Sequence, residues 1–137
     1  MSVNPDLVGR AFAPVAPYLV GREKVREFAR AVAATSPLAH DPQAARAAGF
    51  ADVVAPPTFP VVVQEATLAQ LLAEPDAGID FSRVVPGERR FSSRRPVVAG
   101  DELTGALAVT AVKTLGGNAM VTAESTMVDA TGAHVVT

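Results

Sequence analysis

The stretch TFPVVVQEATLAQLL, residues 58–72, lies at the centre of this 137-residue chain. Its apolar side chains cover most of the circumference of a helix, and a helix of that kind is normally buried on nearly all sides. Pro57 and Pro60 fall in its first turn, where a missing N–H group has no intrahelical partner to lose. Pro75 and Gly78 end the pattern. The stretch therefore predicts a long, buried central helix over residues 58–72.

Beyond residue 84 the apolar pattern changes from a helical period to a period of two. Strands are predicted at residues 89–95, 103–111, 119–129 and 133–137, with hairpin turns at Gly116-Gly117-Asn118 and Ala130-Thr131-Gly132. Strands that follow one another directly form an antiparallel sheet. One apolar helix followed by such a sheet predicts an α+β, hot-dog fold, in which the antiparallel sheet wraps around the central helix.

Two shorter helices are predicted before the central one. Residues 22–34 carry an apolar stripe at helical spacing after Gly21, which is a plausible N-cap. Asp41-Pro42 supplies a capping carboxylate followed by proline at the first helical position, and Gly49 is a suitable C-cap. We therefore expect helices over residues 22–34 and 42–48, with a short strand at residues 18–20.

Composition and charge exclude several classes of function. Twelve Lys and Arg stand against 14 Asp and Glu, for a net charge of −2, which argues against a strongly basic nucleic-acid binder. The chain has no cysteine and only two histidines, so we expect no disulfide, thiolate site, metal or cofactor. No apolar signal core and no membrane-length apolar run are present. We expect a cytoplasmic protein with a single domain, residues 1–137, and no nucleic-acid or membrane partner.

The segment SPLAHDPQAARAAGFADVVAPPTFP, residues 36–60, resembles the MaoC-like hot-dog family of R-specific hydratases and dehydratases. That family carries D-x-N-P-[LI]-H-x-D, then A-x-x-x-G-F, then an alanine-histidine-glycine turn that opens the central helix. RPVVAGDEL, residues 95–103, resembles the family's basic-proline-x-x-x-glycine-aspartate turn. The resemblance covers residues 18–137. It implies a hot-dog fold and hydro-lyase chemistry on acyl thioesters.

Three positions depart from the catalytic pattern of that family. Its active members use an aspartate, a histidine five residues later, and a backbone N–H from the glycine that opens the central helix. The matching positions here are Ala34, Ala39 and Pro57. A methyl group cannot transfer a proton and proline has no N–H. The resemblance therefore implies that this chain alone has no catalytic residues.

One branch of the family shows the same departures: the A-type subunit of the R-specific 3-hydroxyacyl-carrier-protein dehydratase and the related N-terminal domains of FAS-I-like dehydratases. The resemblance implies an acyl-chain-binding subunit that works beside a hot-dog partner with an intact Asp/His dyad. We expect a homodimer when the chain is isolated. The resemblance also implies that its ligand is an acyl thioester carried on a carrier protein or coenzyme A. The residues expected to contact it are Pro56, Thr58, Phe59, Val62 and Val63.

Alternative functions remain open from the sequence. His40 lies one position past the catalytic histidine position, and Glu65 is the acidic residue of the apolar helix. An active homodimeric hydratase or thioesterase using His40 with Asp41, or Glu65, is one alternative. The other interpretations are a loop histidine, a helix-capping Asp41 and a Glu65 on a narrow polar stripe. A stand-alone lipid-binding hot dog is a third possibility.

Five arginines fall within thirteen residues, at positions 83, 89, 90, 94 and 95. On a strand, Arg90 and Arg94 share one face, while Arg89 and Arg95 share the other. Arg90 and Arg94 are predicted to dock an acidic carrier protein or the phosphates of its pantetheine arm. The alternative is a charged edge strand that resists aggregation.

The last predicted strand is short. Residues 119–129 form an eleven-residue strand, whereas only five residues follow Gly132. Hairpin partners normally match in length, because unmatched residues leave N–H and C=O groups without ladder partners. We therefore expect a natural chain longer than 137 residues, which an intact-mass measurement tests.

Overall fold

The computed structural model describes residues 2–137, and a four-stranded antiparallel sheet with one long helix forms its centre. The sheet order is β1-β2-β3-β4. The elements are β1 (Tyr18–Leu19), α1 (Arg22–Ala31), α2 (Pro42–Ala47), α3 (Val61–Ala73), β2 (Glu102–Leu115), β3 (Asn118–Val128) and β4 (His134–Val136), with short 3-10 turns at Pro5–Leu7, Pro37–Ala39, Pro75–Ala77 and Phe81–Arg83. The predicted α+β hot-dog fold is confirmed.

The β2–β3 hairpin forms most of the sheet. Leu115 pairs with Asn118 across a two-residue turn, and the turn residues Gly116 and Gly117 have φ values of 50° and 88°. Both residues of such a turn need positive φ, which glycine adopts without a steric penalty. The predicted hairpin is therefore confirmed at its turn.

Helix α3 lies close against the sheet at Gly105. A Cβ atom at this position would lie 2.9 Å from Thr67 Cγ2 and 3.0 Å from Val63 Cγ1, so only glycine permits this approach. Behind it, Thr67 Oγ1 donates to Gln64 O over 2.8 Å and accepts from Ser125 Oγ. Both hydroxyl groups are buried, and these two hydrogen bonds give each of them a partner inside the core.

The start of α3 differs from the prediction. The helix begins at Val61, and the residues from Pro57 to Pro60 form a tight turn in which Phe59 N donates to Pro56 O over 2.9 Å. Each proline removes a donor, and a residue before proline is disfavoured in the helical region. The two prolines therefore delay the helix by one turn.

The prediction that the central helix is buried on nearly all sides is wrong for this chain alone. Its fully buried side chains are Val63, Thr67 and Leu71, one per turn. The opposite face is open to solvent and is largely apolar. Its members are Glu65, Ala66, Ala69, Leu72 and Ala73, of which Leu72 is half-buried. We call this set the open face of α3.

The N-terminal segment covers one edge of the sheet. Phe12 N donates to Leu107 O and Val15 N donates to Gly105 O, both over 2.9 Å. Leu7, fully buried, packs with Leu71 and Leu107. The segment thus satisfies the outer backbone groups of β2 and protects an edge that would otherwise be free to aggregate.

The predicted strand at residues 89–95 is wrong. The segment is irregular and makes one isolated bridge, between Ser93 and Val136. Ser92 N donates to Thr137 O over 2.8 Å, and Arg94 N donates to Val135 O over 2.7 Å. Because β4 has three residues, it offers partners only to residues 92–94 of this segment.

The helix ends follow local signals. Asp41 caps α2 by accepting a hydrogen bond from Gln43 N over 2.9 Å, as predicted. Helix α1 ends at Ala31, three residues before the predicted boundary, because Ala33 adopts a left-handed φ of 56°.

Within residues 2–137, no helix combines the length and apolar character that a membrane crossing requires.

Candidate functional site

An open cavity of about 480 Å³ lies where the end of α1, the start of α3 and the segment before β2 meet. This volume falls within the range of roughly 300–1,000 Å³ that is usual for small-ligand sites. The lining residues are Ala34, Ser36, Leu38, Ala39, Val54, Ala55, Pro56, Pro57, Pro60, Ser93, Arg94, Arg95, Pro96 and Val97. The cavity is therefore mainly apolar, with two arginines and two serines.

The first wall contains both alanines that stand at the dyad positions. The left-handed turn at Ala33 ends α1 and leads the chain to Ala34. The following 3-10 turn, Pro37–Ala39, is capped by Ser36 Oγ, which accepts from Leu38 N over 3.3 Å, and it brings Ala39 to the same cavity. Sequence positions five apart thus face one cavity, as the resemblance implied, but with methyl groups.

His40 holds the backbone of this wall and is absent from the cavity lining. Its Nε2–H donates to Ala34 O over 2.8 Å, while Arg26 Nε donates to His40 O over the same distance. Asp41 is engaged as the cap of α2. In the structure, His40 and Asp41, the residues of the alternative active site, therefore make loop and helix-cap contacts.

The second wall comes from the turn that opens α3. Pro56, Pro57 and Pro60 line the cavity, and Ala55 N donates to Val97 O over 2.8 Å, which fixes this turn against the third wall. Pro57 occupies the position at which the catalytic pattern requires a backbone N–H. It has no such group to offer to an oxyanion.

The third wall, residues 93–97, is fixed by Arg95. Its guanidinium donates to Asp101 Oδ2 over 2.8 Å and to Asp129 Oδ2 over 3.2 Å, and so joins two turns of the sheet. Asp101 Oδ2 also accepts from Val98 N over 2.9 Å. The hydrogen bonds that Arg95 donates to Asp101, together with the second carboxylate, raise the pKa of Arg95 above its ordinary value. Arg95 therefore keeps its positive charge, and the carboxylates of Asp101 and Asp129 compensate that charge at the cavity wall.

Asp129 makes the stability of the folded chain depend on pH. Its hydrogen bond from Thr131 and its contact with Arg95 lower the pKa of Asp129 from 3.8 to about 2. Because the unfolded chain binds the proton more readily, this contribution to stability is complete above about pH 4 and is lost as the pH falls towards 2. Asp52 behaves in the same direction, since Arg22 lowers its pKa to about 2.

We expect the urea concentration at the midpoint of unfolding to decrease as the pH is lowered from 4 to 2. The decrease should be less steep in Asp129→Asn. Thr131→Ala, which removes only the hydroxyl donor, should give an intermediate slope. Equal slopes in all three proteins would contradict this assignment of the Asp129 pKa.

The remaining predicted arginines are separated by the structure. Arg94 lines the cavity. Arg90 is exposed and pairs with Glu88 over 3.1 Å, and Arg89 pairs with Glu65. Arg90 and Arg94 therefore do not share one strand face, because the strand itself is absent.

The five residues expected to contact the acyl chain occupy different environments. Pro56 lines the cavity, and Thr58 is exposed outside it. Phe59 and Val63 are buried in the main core, where Val62 packs against them. The cavity that Pro56 lines is not lined by Thr58, Phe59, Val62 or Val63.

Glu65 lies on the open face of α3, away from the cavity. Together with Phe81 it borders a shallow pocket, and it forms an ion pair with Arg89. Nη1 of Arg89 also donates to Gln64 Oε1 over 2.7 Å. This arrangement matches the interpretation of a polar stripe next to Gln64.

The lining limits the chemistry of the cavity. Among the described residues that line it, none carries a carboxylate or an imidazole, so no side chain there can act as a general base at neutral pH. Across residues 2–137, no group of three or more His, Cys, Asp or Glu side chains is arranged to hold a metal ion. The arrangement can bind an apolar ligand and an anionic group.

Sequence reasoning missed the third wall as part of the site. Ser93, Pro96 and Val97 were not predicted to line a cavity, and the joint role of Asp101 and Asp129 was not foreseen. The RPVVAGDEL motif marked Arg95 and Asp101 as a turn, but no signal in the sequence indicated that Asp129 joins them.

Comparison with known proteins places the chain in a family. Residues 6–137 match the family described as FAS1-like, dehydratase domain region. A UPF0336 protein of Clavibacter michiganensis is 73% identical over 137 residues, which are 100% of this chain and 92% of that protein. A UPF0336 protein of Thermobifida fusca is 46% identical over 137 residues, covering 100% of this chain and 90% of that protein.

Two solved structures share both fold and sequence with it. The C-terminally truncated HadBC (3R-hydroxyacyl-ACP dehydratase) complex of Mycobacterium tuberculosis superposes with a TM-score of 0.86 at 30% identity, covering 96% of this chain and 92% of the other. A MaoC-like dehydratase superposes with a TM-score of 0.80 at 34% identity, covering 94% of this chain and 39% of that one. The family match and these likenesses agree with the hot-dog fold, and the chain belongs to the FAS1-like dehydratase-region family of MaoC-like hot-dog proteins.

Proposed function

We propose that this chain is the acyl-chain-binding, non-catalytic subunit of a two-chain R-3-hydroxyacyl-thioester dehydratase of fatty-acid or lipid metabolism. One observation carries the proposal. The cavity at the family's dyad position is lined by Ala34 and Ala39, and among residues 2–137 no carboxylate or imidazole lines it.

Dehydration of a 3-hydroxyacyl thioester needs a base for the α-proton, an acid for the departing hydroxyl and a donor for the thioester oxygen. This cavity offers neither proton-transfer group, and Pro57 has no N–H to donate. Its apolar walls remain suited to an uncharged acyl or pantetheine chain. Binding without proton transfer is the role that these residues support best.

The exposed surfaces of the isolated chain support a hot-dog partner. Along β3, pairing with β4 involves only Met127 and Val128, so residues 118–126 have a free outer edge within the described chain. The open face of α3 is also uncovered. Soluble proteins normally cover such edges and apolar faces. The HadBC structure is a complex, which supports a second hot-dog chain as the partner here.

The acyl thioester is expected to enter along Pro56 and the apolar walls of the cavity. Phe59 and Val63 fill the core between α3 and the sheet, so their contribution to an acyl site would be to limit its depth. Arg90 and Arg94 remain the proposed contacts for the carrier.

The test is an enoyl-thioester hydration assay on the purified chain, alone and mixed with a dyad-bearing hot-dog subunit. Alone, the chain should not hydrate a short trans-2-enoyl thioester above background, and it should sediment as a homodimer. With the partner, a heterodimer should form and the rate should rise by at least about 10²-fold, the lower range for general acid–base catalysis.

Controls separate the alternatives. Activity of the chain alone that disappears in His40→Ala or in Glu65→Gln would overturn the non-catalytic role and favour an active homodimer. A monomer at micromolar concentration that binds no dyad-bearing chain would overturn the subunit role.

A further inference from the structure

The hydrogen bond between His40 and Ala34 closes the loop that forms the first wall of the cavity. His40 Nε2–H donates to Ala34 O over 2.8 Å, so the two ends of residues 34–40 are joined. Four lining residues of the cavity belong to this loop, namely Ala34, Ser36, Leu38 and Ala39. The side chain of His40 does not line the cavity, so it can influence a ligand only through the loop that it closes.

Both ends of this hydrogen bond have a fixed backbone. Ala34 N donates to Ala29 O over 2.8 Å, across the left-handed turn at Ala33 that ends α1. At the other end, His40 O accepts from Arg26 Nε over 2.8 Å. The imidazole therefore reaches Ala34 O from a backbone that is already held, and little conformational entropy is lost in forming the bond.

Packing contributes little to the position of the first half of the loop. Residues 35–37 are exposed. In the second half, Leu38 O accepts from Val54 N over 2.8 Å, which ties that half to the chain just before the second wall. The hydrogen bond from His40 to Ala34 O holds the first half closed. Without it, the exposed residues 35–37 would be free to move away from the cavity.

A wall that keeps one conformation presents its apolar side chains to a ligand without a further cost of ordering, and this raises affinity. We propose that His40 is a positioning residue for the acyl-thioester ligand. Its hydrogen bond to Ala34 O keeps residues 34–40 closed, and the closed loop gives the cavity its affinity for the apolar part of the ligand. This inference rests on the proposed acyl-binding function and adds the residue that holds the site in shape. His40 transfers no proton in this role.

The test is a calorimetric titration of S-decyl pantetheine, a thioether that cannot hydrolyse, into the full chain and its variants. His40→Leu removes the donor, and His40→Asn carries a shorter amide that does not reach Ala34 O. Both should bind the thioether at least about fivefold more weakly, the scale of one hydrogen bond. His40→Gln carries an amide N–H at nearly the reach of Nε2, and it should bind within about twofold of the wild type.

Gln70→Leu is the matched control. Gln70 Nε2 donates to the backbone carbonyl of Ala13, also over 2.8 Å, and neither residue lines the cavity. This variant therefore loses the same kind of hydrogen bond elsewhere in the fold, and its affinity for S-decyl pantetheine should be unchanged. Thermal unfolding identifies the folded variants, and His40→Asn carries the comparison where His40→Leu does not fold.

The complex with a dyad-bearing partner provides a second measurement. With a long-chain enoyl thioester as substrate, the His40 variants that lack the donor should raise KM and leave kcat unchanged, because the proton-transfer groups belong to the partner. A fall in kcat with KM unchanged would overturn the positioning role.

The outcomes separate this inference from the function on which it rests. Wild-type affinity in the folded variants that lack the donor, an equal loss in His40→Gln, or the same loss in Gln70→Leu would overturn the positioning role and leave the acyl-binding function intact. Failure of S-decyl pantetheine to bind the wild-type chain, both alone and in the complex, would overturn the proposed function and this inference with it.

Discussion

Replacing Phe59 with alanine should lower the free energy of unfolding by about 3–5 kcal/mol. The ring is fully buried, packs edge to face against Phe28 at a centroid distance of 5.4 Å, and lies 6.5 Å from the ring of Tyr18. Truncation removes these contacts and leaves a cavity that neighbouring rings cannot fill. A loss of this size is a large part of the roughly 5–15 kcal/mol that stabilises a typical domain.

Phe81→Ala is the matched control, because the ring of Phe81 is 71% exposed. It should change the free energy of unfolding by less than about 0.5 kcal/mol. Both variants are measured by urea unfolding at one protein concentration. A loss below 1 kcal/mol for Phe59→Ala would show that the ring does not hold the core.

Features set by neighbouring residues were predictable from the sequence. Asp41-Pro42 starts α2 and Gly116-Gly117 closes the main hairpin, because a capping carboxylate and two positive φ values are local requirements. The positions of Ala34 and Ala39 followed from the family resemblance, and the structure brings both to one cavity.

Features that depend on distant residues were not predictable. The arginine segment at residues 89–95 carries a strand-like pattern, but strand pairing needs a partner, and β4 reaches only residues 92–94. The contact between Arg95 and Asp129 joins residues 34 positions apart. The ring of Phe59 packs against Phe28 and Tyr18, distant neighbours that the pattern of residues 58–72 does not identify, and its contact with an acyl chain stays a prediction.

Restoring the three missing groups should create activity in the isolated chain in two steps. Ala34→Asp with Ala39→His supplies a carboxylate and an imidazole at positions that already face the cavity. Hydration should remain close to background in this double variant, because Pro57 still gives no N–H to the thioester oxygen. Adding Pro57→Gly restores that donor. The triple variant should then exceed the double variant by about 10²–10³-fold, the usual effect of one oxyanion donor.

Pro57→Ala, combined with the same dyad, separates the hydrogen-bond donor from backbone flexibility. Alanine also restores the N–H but lacks the conformational freedom of glycine, so a donor effect predicts similar rates for both triple variants. The rates are measured with a short trans-2-enoyl thioester on variants whose thermal unfolding confirms that they are folded. A folded double variant as active as either triple variant would show that Pro57 does not limit catalysis, and that only the alanines at positions 34 and 39 do.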